Sequence, residues 1–295
     1  MFSKVDLHIH SNHSDGRFSP EKIVSIAAVR RLRTISITDH DNVFGVSAAL
    51  KIGKKIGIEV IPGIELSVKK DDRDLHLLGY YIDIDYPQIL SYIEFFREER
   101  LKRAQKIIEK LDRLHVHVGL EEVMSRANGA PICRVHIADV IIKKGYARNI
   151  HEVFQTYIGD TAPASVPKFK IYPEEAIQLI ADAGGLSFIA HPGSDISPVG
   201  ILELNDVGLN GIETIHSRHN QSQQLYYHKL AAHYNLLESG GSDCHGDDMH
   251  ESLIGKLHVP EEFVNKIKAY REYIQPTAIS SPKSYRAYEM GKPSE

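Results

Sequence analysis

Lys4-Val5-Asp6-Leu7-His8-Ile9-His10-Ser11-Asn12-His13-Ser14-Asp15-Gly16 is the stretch that decides the fold. Val5, Leu7 and Ile9 alternate with Asp6, His8 and His10, a period of two that predicts a strand with one apolar face and one polar face. His8 and His10 then point the same way. That spacing suits two imidazoles on one metal ion, although a lone His-x-His is also read as two polar-face histidines. Asp15 comes just after the strand.

Outward from this strand, short strand patterns alternate with helical ones. Ser19-Pro20-Glu21 starts a helix, with Ser as N-cap, Pro at the first helical position and an acid in the first turn. Residues 34–38 form a second strand, succeeded by a helix near 43–56 that stops at Gly57. Residues 59–65 and 75–82 are the third and fourth strands, joined by a short charged hairpin loop at 69–74. From about 86 to 158 the pattern is almost entirely helical, with 93–114 the longest piece. Gly129-Ala130-Pro131 breaks it before a helix at 134–144. Alternation resumes after Pro163, with a helix at 173–183, strands at 186–190 and 211–215, a helix at 221–234 and a strand at 236–239. The tail from about Pro276 is expected to be loosely packed. The pattern predicts an α/β chain: a closed or nearly closed parallel barrel of seven strands formed by residues 1–84 and 163–295, interrupted by a helical insertion at 85–162. In such barrels the C-terminal strand ends carry the chemistry.

Composition excludes other classes. Of 295 residues 42% are hydrophobic and 25% charged, too apolar for a disordered or fibrous chain. A net charge of −4 excludes a basic nucleic-acid coat. Cys133 and Cys244 are the only thiols, so a disulfide scaffold is excluded and a reducing compartment fits. No apolar signal region comes after Met1 and no 18-residue apolar run occurs. A cytoplasmic protein without membrane contact is expected, and no obligate protein partner is indicated.

The unusual residues fall where the barrel would place its chemistry. Thr38-Asp39-His40-Asp41 closes the second strand, and Glu65 closes the third. His76 lies on the fourth, and His191 closes the fifth in Ala190-His191-Pro192-Gly193. Asp243 and His245 come after the seventh in Gly240-Gly241-Ser242-Asp243-Cys244-His245-Gly246. Singly they have bland readings: Asp39 as an N-cap, His76 as a core histidine, Asp243 as a turn residue. Jointly His8, His10, Asp15, His40, Glu65, His76, His191, Asp243 and His245 form a nitrogen and carboxylate set without sulfur, since Cys244 faces away by alternation. Such a set suits Zn, Mn or Fe. It exceeds what one ion needs, so two or three divalent ions are expected. Ions about 3.5–4 Å apart are a phosphoester-hydrolysing arrangement.

Together these motifs resemble the PHP (polymerase and histidinol phosphatase) family of metal-dependent phosphoesterases, over roughly residues 1–80 and 165–260. The resemblance implies a distorted seven-stranded (β/α) barrel with a trinuclear centre at its C-terminal face. By motif, one ion would take His8, His10, Glu65 and Asp243, a second Asp15, His40 and His245, and a third Glu65, His76 and His191. Asp15 stands where some relatives place His, which favours harder ions. Within the insertion, Gly129-Ala130-Pro131-Ile132-Cys133-Arg134-Val135-His136-Ile137-Ala138 is similar to the segment that stand-alone nucleotide phosphatases of the family place over the barrel mouth. From the residues alone the same segment also reads as a solvated helix start. The resemblance makes Arg134 and His136 phosphate ligands at that helix start, with Lys168, Arg218 and His219 as further cations. It implies removal of the 3′-phosphate from nucleoside 3′,5′-bisphosphates, with His191, Asp15 and His40 around a metal-bridging hydroxide. A 5′→3′ exoribonuclease acting on short RNA is the nearest alternative. A histidinol-phosphate phosphatase is weaker, because its cationic substrate has no use for a second cluster of cations. A non-catalytic metal-stabilised module is the alternative from another class.

Overall fold

The computed structural model describes residues 4–70, 73–193, 196–246 and 253–274. Seven strands hydrogen-bond in sequence order: β1 (Val5–Ile9), β2 (Thr34–Ile37), β3 (Glu59–Lys70), β4 (Arg73–Tyr80), β5 (Leu186–Ile189), β6 (Gly211–His216) and β7 (Leu237–Gly241). The ring is brought nearly to closure by an isolated parallel bridge between Ile9 and Cys244. His10 N–H donates to the Cys244 carbonyl at 3.1 Å, and Asp243 N–H to the His8 carbonyl at 2.8 Å. The α/β barrel expected from the sequence is therefore present, but it is not all parallel. β4 runs antiparallel to both β3 and β5, because a short hairpin cannot return a strand parallel to its predecessor.

That hairpin corrects a second expectation. Glu65 does not close β3; the strand runs on to Lys70, with Ser67 opposite His76. Antiparallel pairing carries the hairpin past the rim of the ring, so Glu65 sits mid-strand, fully buried at the level of the mouth.

Helices α1 (Pro20–Val29) and α2 (Val46–Ile56) cover the outside of the first half of the ring. Ser19 caps α1 by accepting the Lys22 N–H, and Gly57 ends α2 in the left-handed region at φ 78°. The insertion contributes α3 (Pro87–Arg113), α4 (Leu120–Ala127), α5 (Arg134–Lys143) and α6 (Ile150–Val153), the last continued by a π-turn over Phe154–Ile158. The two ends of α3 belong to different cores. Ile89, Tyr92, Ile93 and Phe96 pack with Leu66, Leu77 and Ile180 of the barrel side. Ala104, Ile107 and Leu111 pack with Val123, Ile137 and Ile141 of α4 and α5. The outer layer is completed by α7 (Pro173–Asp182), α8 (Pro198–Asp206), α9 (Gln221–His233) and α10 (Glu261–Ile274). The tail beyond Pro276 lies outside the described residues. Among the described residues no helix is long and apolar enough to cross a membrane.

The seam between β1 and β7 is tight. A Cβ on Gly241 would sit 2.4 Å from both the backbone nitrogen and the Cβ of His8. Gly241→Ala is therefore expected to destabilise the protein by at least about 2 kcal/mol, as overpacking against backbone does. Urea unfolding checks this; a loss under about 0.5 kcal/mol would show that the seam is not rigid.

Candidate metal centre

Three successive residues after β2 divide the work of building the mouth. Asp39 is fully buried and accepts from Ser11 N–H at 2.7 Å, Ser11 Oγ at 2.6 Å and Ser14 Oγ at 2.6 Å. It thereby folds the loop that delivers Asp15, so its role is to hold a loop and not to cap a helix. His40 turns into the mouth. Asp41 turns toward the insertion and accepts from Tyr92 OH at 2.8 Å and Arg100 Nη2 at 2.6 Å. Its carboxyl is opposed by burial, but Lys168 and Arg100 outweigh this and hold it well below the usual carboxylate range. Asp41, His191 and Asp243 have φ of 49°, 25° and 52°. Backbone in this sparsely populated region is how these strand ends re-aim their side chains.

All nine residues expected from the sequence converge. His8 Nε2 and His10 Nε2 are 3.2 Å apart. His10 Nε2 is 3.2 Å from both Glu65 Oε2 and Asp243 Oδ1. Glu65 Oε1 lies 3.0 Å from His76 Nδ1 and 3.1 Å from His191 Nε2. His245 Nε2 is 3.3 Å from Asp15 Oδ1. Groups of potential ligand atoms within 4.8 Å of one another include His10, Asp15, His40 and His245; His8, His10 and Asp243; His8, Glu65 and His191; and His40, Glu65 and His76.

This packing fits cations better than hydrogen bonds. His40 Nδ1 lies 2.9 Å from Glu65 Oε2. Yet both atoms, with His10 Nδ1 and Asp15 Oδ1, are buried without a hydrogen-bond partner. Lone pairs that face one another at contact distance, with no proton correctly placed between them, call for a positive charge in their midst. The electrostatics agree. Burial opposes charge on His10, but Asp243 and Glu65 overcome it and hold a proton there up to about 10. Burial pushes His40 down to about 4, so its ring is neutral at neutral pH and offers one unprotonated nitrogen. Burial would raise Asp15, Glu65 and Asp243, but the surrounding imidazoles keep all three well below the usual range. Ionised carboxylates and neutral imidazoles such as His40 are the forms that bind divalent metal, and an ion taken up beside His10 would displace its proton.

Two residues that the strand pattern does not reveal complete the centre. Glu213 and His216 lie three apart on β6, and a register shift between Glu213 and Ile215 turns both inward. The His8 Nδ1–H donates to Glu213 Oε1 at 3.1 Å, and His191 N–H donates to Glu213 Oε2 at 2.7 Å. Glu213 thus fixes the His8 tautomer and leaves Nε2 for the cluster, the usual way a carboxylate orients a metal-binding imidazole. His216 accepts the Arg218 N–H at Nδ1, and its Nε2 stands 3.3 Å from Asp243 Oδ2.

The residues expected to meet substrate separate. Arg134, Lys168 and Arg218 line a cavity of about 360 Å³ that also takes in Asp15, His40, His76 and His191. Arg100 and Arg103 of α3, which sequence patterning does not single out, line it too. His136 does not; its Nδ1 accepts the Cys133 N–H at 3.1 Å, and it lines a smaller cavity on the other side of Val135. His219 does not line it either. It is buried, donating from Nδ1 to the Thr214 carbonyl at 3.1 Å, with its ring centroid 4.9 Å from that of Tyr227.

The PHP domain family matches residues 6–277. The chain belongs to that family. It is similar to the "5'-3' exoribonuclease Rnm" of Salmonella typhimurium, with 31% identity over 86% of this chain and 89% of that protein. It is similar to the "3',5'-nucleoside bisphosphate phosphatase" of Chromobacterium violaceum, with 30% identity over 82% of this chain and 87% of that protein. A solved structure from Bifidobacterium adolescentis, provisionally described as a metal-dependent phosphoesterase, superposes with a TM-score of 0.83 at 25% identity, over 90% and 96% of the two chains. This PHP protein is a hydrolase of the metal-dependent phosphoesterase kind.

Glu213→Gln in the PHP centre keeps an acceptor for His8 but removes the charge. It is expected to weaken binding of divalent ions about 10- to 100-fold. Competition titration with Mn reads this directly; unchanged affinity would show that Glu213 does not act on the ligands.

Proposed function

We propose that this PHP protein hydrolyses the 3′-phosphate of nucleoside 3′,5′-bisphosphates, giving the nucleoside 5′-monophosphate and inorganic phosphate. The observation that carries the reading is the single cavity in which Asp15, His40, His76 and His191 share walls with Arg100, Arg103, Arg134 and Lys168. One reacting phosphate beside the ligand cluster leaves these cations unused. A second phosphate on the same substrate uses them. The similarity to the bisphosphate phosphatase of C. violaceum supports the reading.

Divalent ions held by His8, His10, Asp15, His40, Glu65, His76, His191, Asp243 and His245 would supply a nucleophile at neutral pH and neutralise the phosphoryl oxygens. Asp15, His40 and His191 border the cavity, so they meet the reacting phosphate. The segment 85–162 serves as a lid that brings three of the cations. Arg100 is buried, donates from Nη2 to Asp41 and from Nη1 to Cys133 Sγ, and leaves Nε without a partner. Arg134 rests 2.5 Å from Asp160 Oδ1, with its guanidinium 5.2 Å over the Phe154 ring. Asp160 is 80% exposed at its side chain, so a 5′-phosphate displaces it readily. Holding that phosphate positions the reacting one, which turns remote binding energy into rate.

A second reading, 5′→3′ exoribonuclease, has its own support in the similarity to the Salmonella protein. It breaks the same bond and differs only in what the scissile phosphate carries. Phosphate release from adenosine 3′,5′-bisphosphate, compared with histidinol phosphate, with divalent ions supplied, tests the proposal. Rapid release from the first alone is expected; preference for histidinol phosphate contradicts it. Arg134→Ala is expected to lower kcat/KM on the bisphosphate about ten- to a hundredfold and to affect a substrate with only the reacting phosphate far less. Equal losses on both would remove Arg134 from the site.

A further inference from the structure

We propose that the smaller cavity beside Asp15 is a subsite for the nucleotide on the 3′ side of the scissile phosphate in a 5′-phosphorylated RNA. The proposal rests on the phosphoesterase reading and assigns residues that would hold the RNA beyond the scissile phosphate in its exoribonuclease form. The two cavities share Asp15 and Val135. The partition between them is therefore the start of α5, where Arg134 faces one side and His136 the other. The smaller cavity, about 280 Å³, is lined by Asn12 and Arg17 from the loop after β1, by Arg126 and Asn128 at the end of α4, and by Asp139 on α5.

Its chemistry is that of a phosphodiester backbone. Arg126 holds Asp139 Oδ2 at 2.7 Å from Nε and 2.6 Å from Nη2. Arg17 reaches Asp139 only at 4.0 Å. Their side chains are 48% and 47% exposed, so each guanidinium keeps donors on the water side. Asn12 and Asn128 add amide groups. Guanidinium and amide donors of this kind contact phosphate and sugar without reading base identity.

The reaction requires such a route. The water oxygen bonds to phosphorus, the P–O3′ bond breaks, and the proton ends on the 3′-oxygen. In a bisphosphate the released phosphate carries no further group. In RNA the phosphate continues through O5′ into the next ribose and a further phosphate. That continuation has to leave the centre away from the cavity that holds the first nucleoside and its 5′-phosphate. The smaller cavity, which borders Asp15 as the main one does, is the proposed exit.

The test compares kcat/KM of the metal-loaded protein on adenosine 3′,5′-bisphosphate and on a 5′-phosphorylated tetraribonucleotide, for wild type, Arg17→Ala and Arg126→Ala. Each variant is expected to lose about fivefold on the RNA, with a shallower salt dependence by about 0.7 in log–log slope, and to stay within twofold on the bisphosphate. Replacing the linkage after the scissile one by an uncharged methylphosphonate should make wild type and variants alike. Arg17→Ala removes no close ion pair, so its result stands even if Arg126→Ala loosens α4 against α5. Equal losses on both substrates, no loss on RNA, or a wild type that does not cleave RNA overturns the subsite. RNA cleavage sensitive to these arginines, without bisphosphate hydrolysis, overturns the phosphatase reading and keeps the subsite.

Discussion

The structure is organised around one constraint: buried imidazole nitrogens and carboxylate oxygens brought to contact distance, several of them without a hydrogen-bond partner. His10, Asp15, His40 and Glu65 each bury an atom in this state. Left as they are, such atoms cost free energy, since each has lost water and gained no partner. The surrounding architecture holds them there regardless. Asp39 braces the Asp15 loop, Glu213 braces His8 and the His191 backbone, and the seam between β1 and β7 fixes His8 against Asp243. A fold that holds so many unpartnered donor atoms together is built around a cation.

Asp41 links that centre to the helical segment between β4 and β5. It stands beside His40, yet its carboxylate collects Tyr92 and Arg100 from α3, Ser67 from β3 and Lys168 from the strand-ward return of the chain. The same contact places Arg100 in the cavity wall and ties the junction of the two cores along α3 to the mouth. Burying an isolated arginine is costly unless its charge is met; Asp41 meets it at 2.6 Å. The helical segment is thus not a separate unit but is pinned to the residue next to His40.

Much of the centre is legible in the sequence because strand periodicity and motif order place it. His8 and His10 come from a period of two, and His191, Asp243 and His245 from their positions just after strands. The residues that escape have a local physical cause in each case. β4 reverses because of a hairpin, so Glu65 is mid-strand and not terminal. Glu213 and His216 cannot both face inward on a regular strand; the irregularity in β6 allows it. His136 and His219 point away from the main cavity because a neighbouring backbone group claims each ring. Side-chain direction after a turn is set by such bonds and is not carried by spacing. Arg100 and Arg103 look like ordinary charges on a long amphipathic helix, and only packing shows that α3 turns them toward the mouth.

The most direct measurement is the binding of divalent ions to chelator-treated protein, counted by elemental analysis and tracked by thermal unfolding. Two or three ions per chain, with a rise in Tm on binding, are predicted, because the ions would neutralise donor atoms that the folded chain leaves unpartnered. Fewer than one ion per chain, with Tm unchanged, would contradict the account.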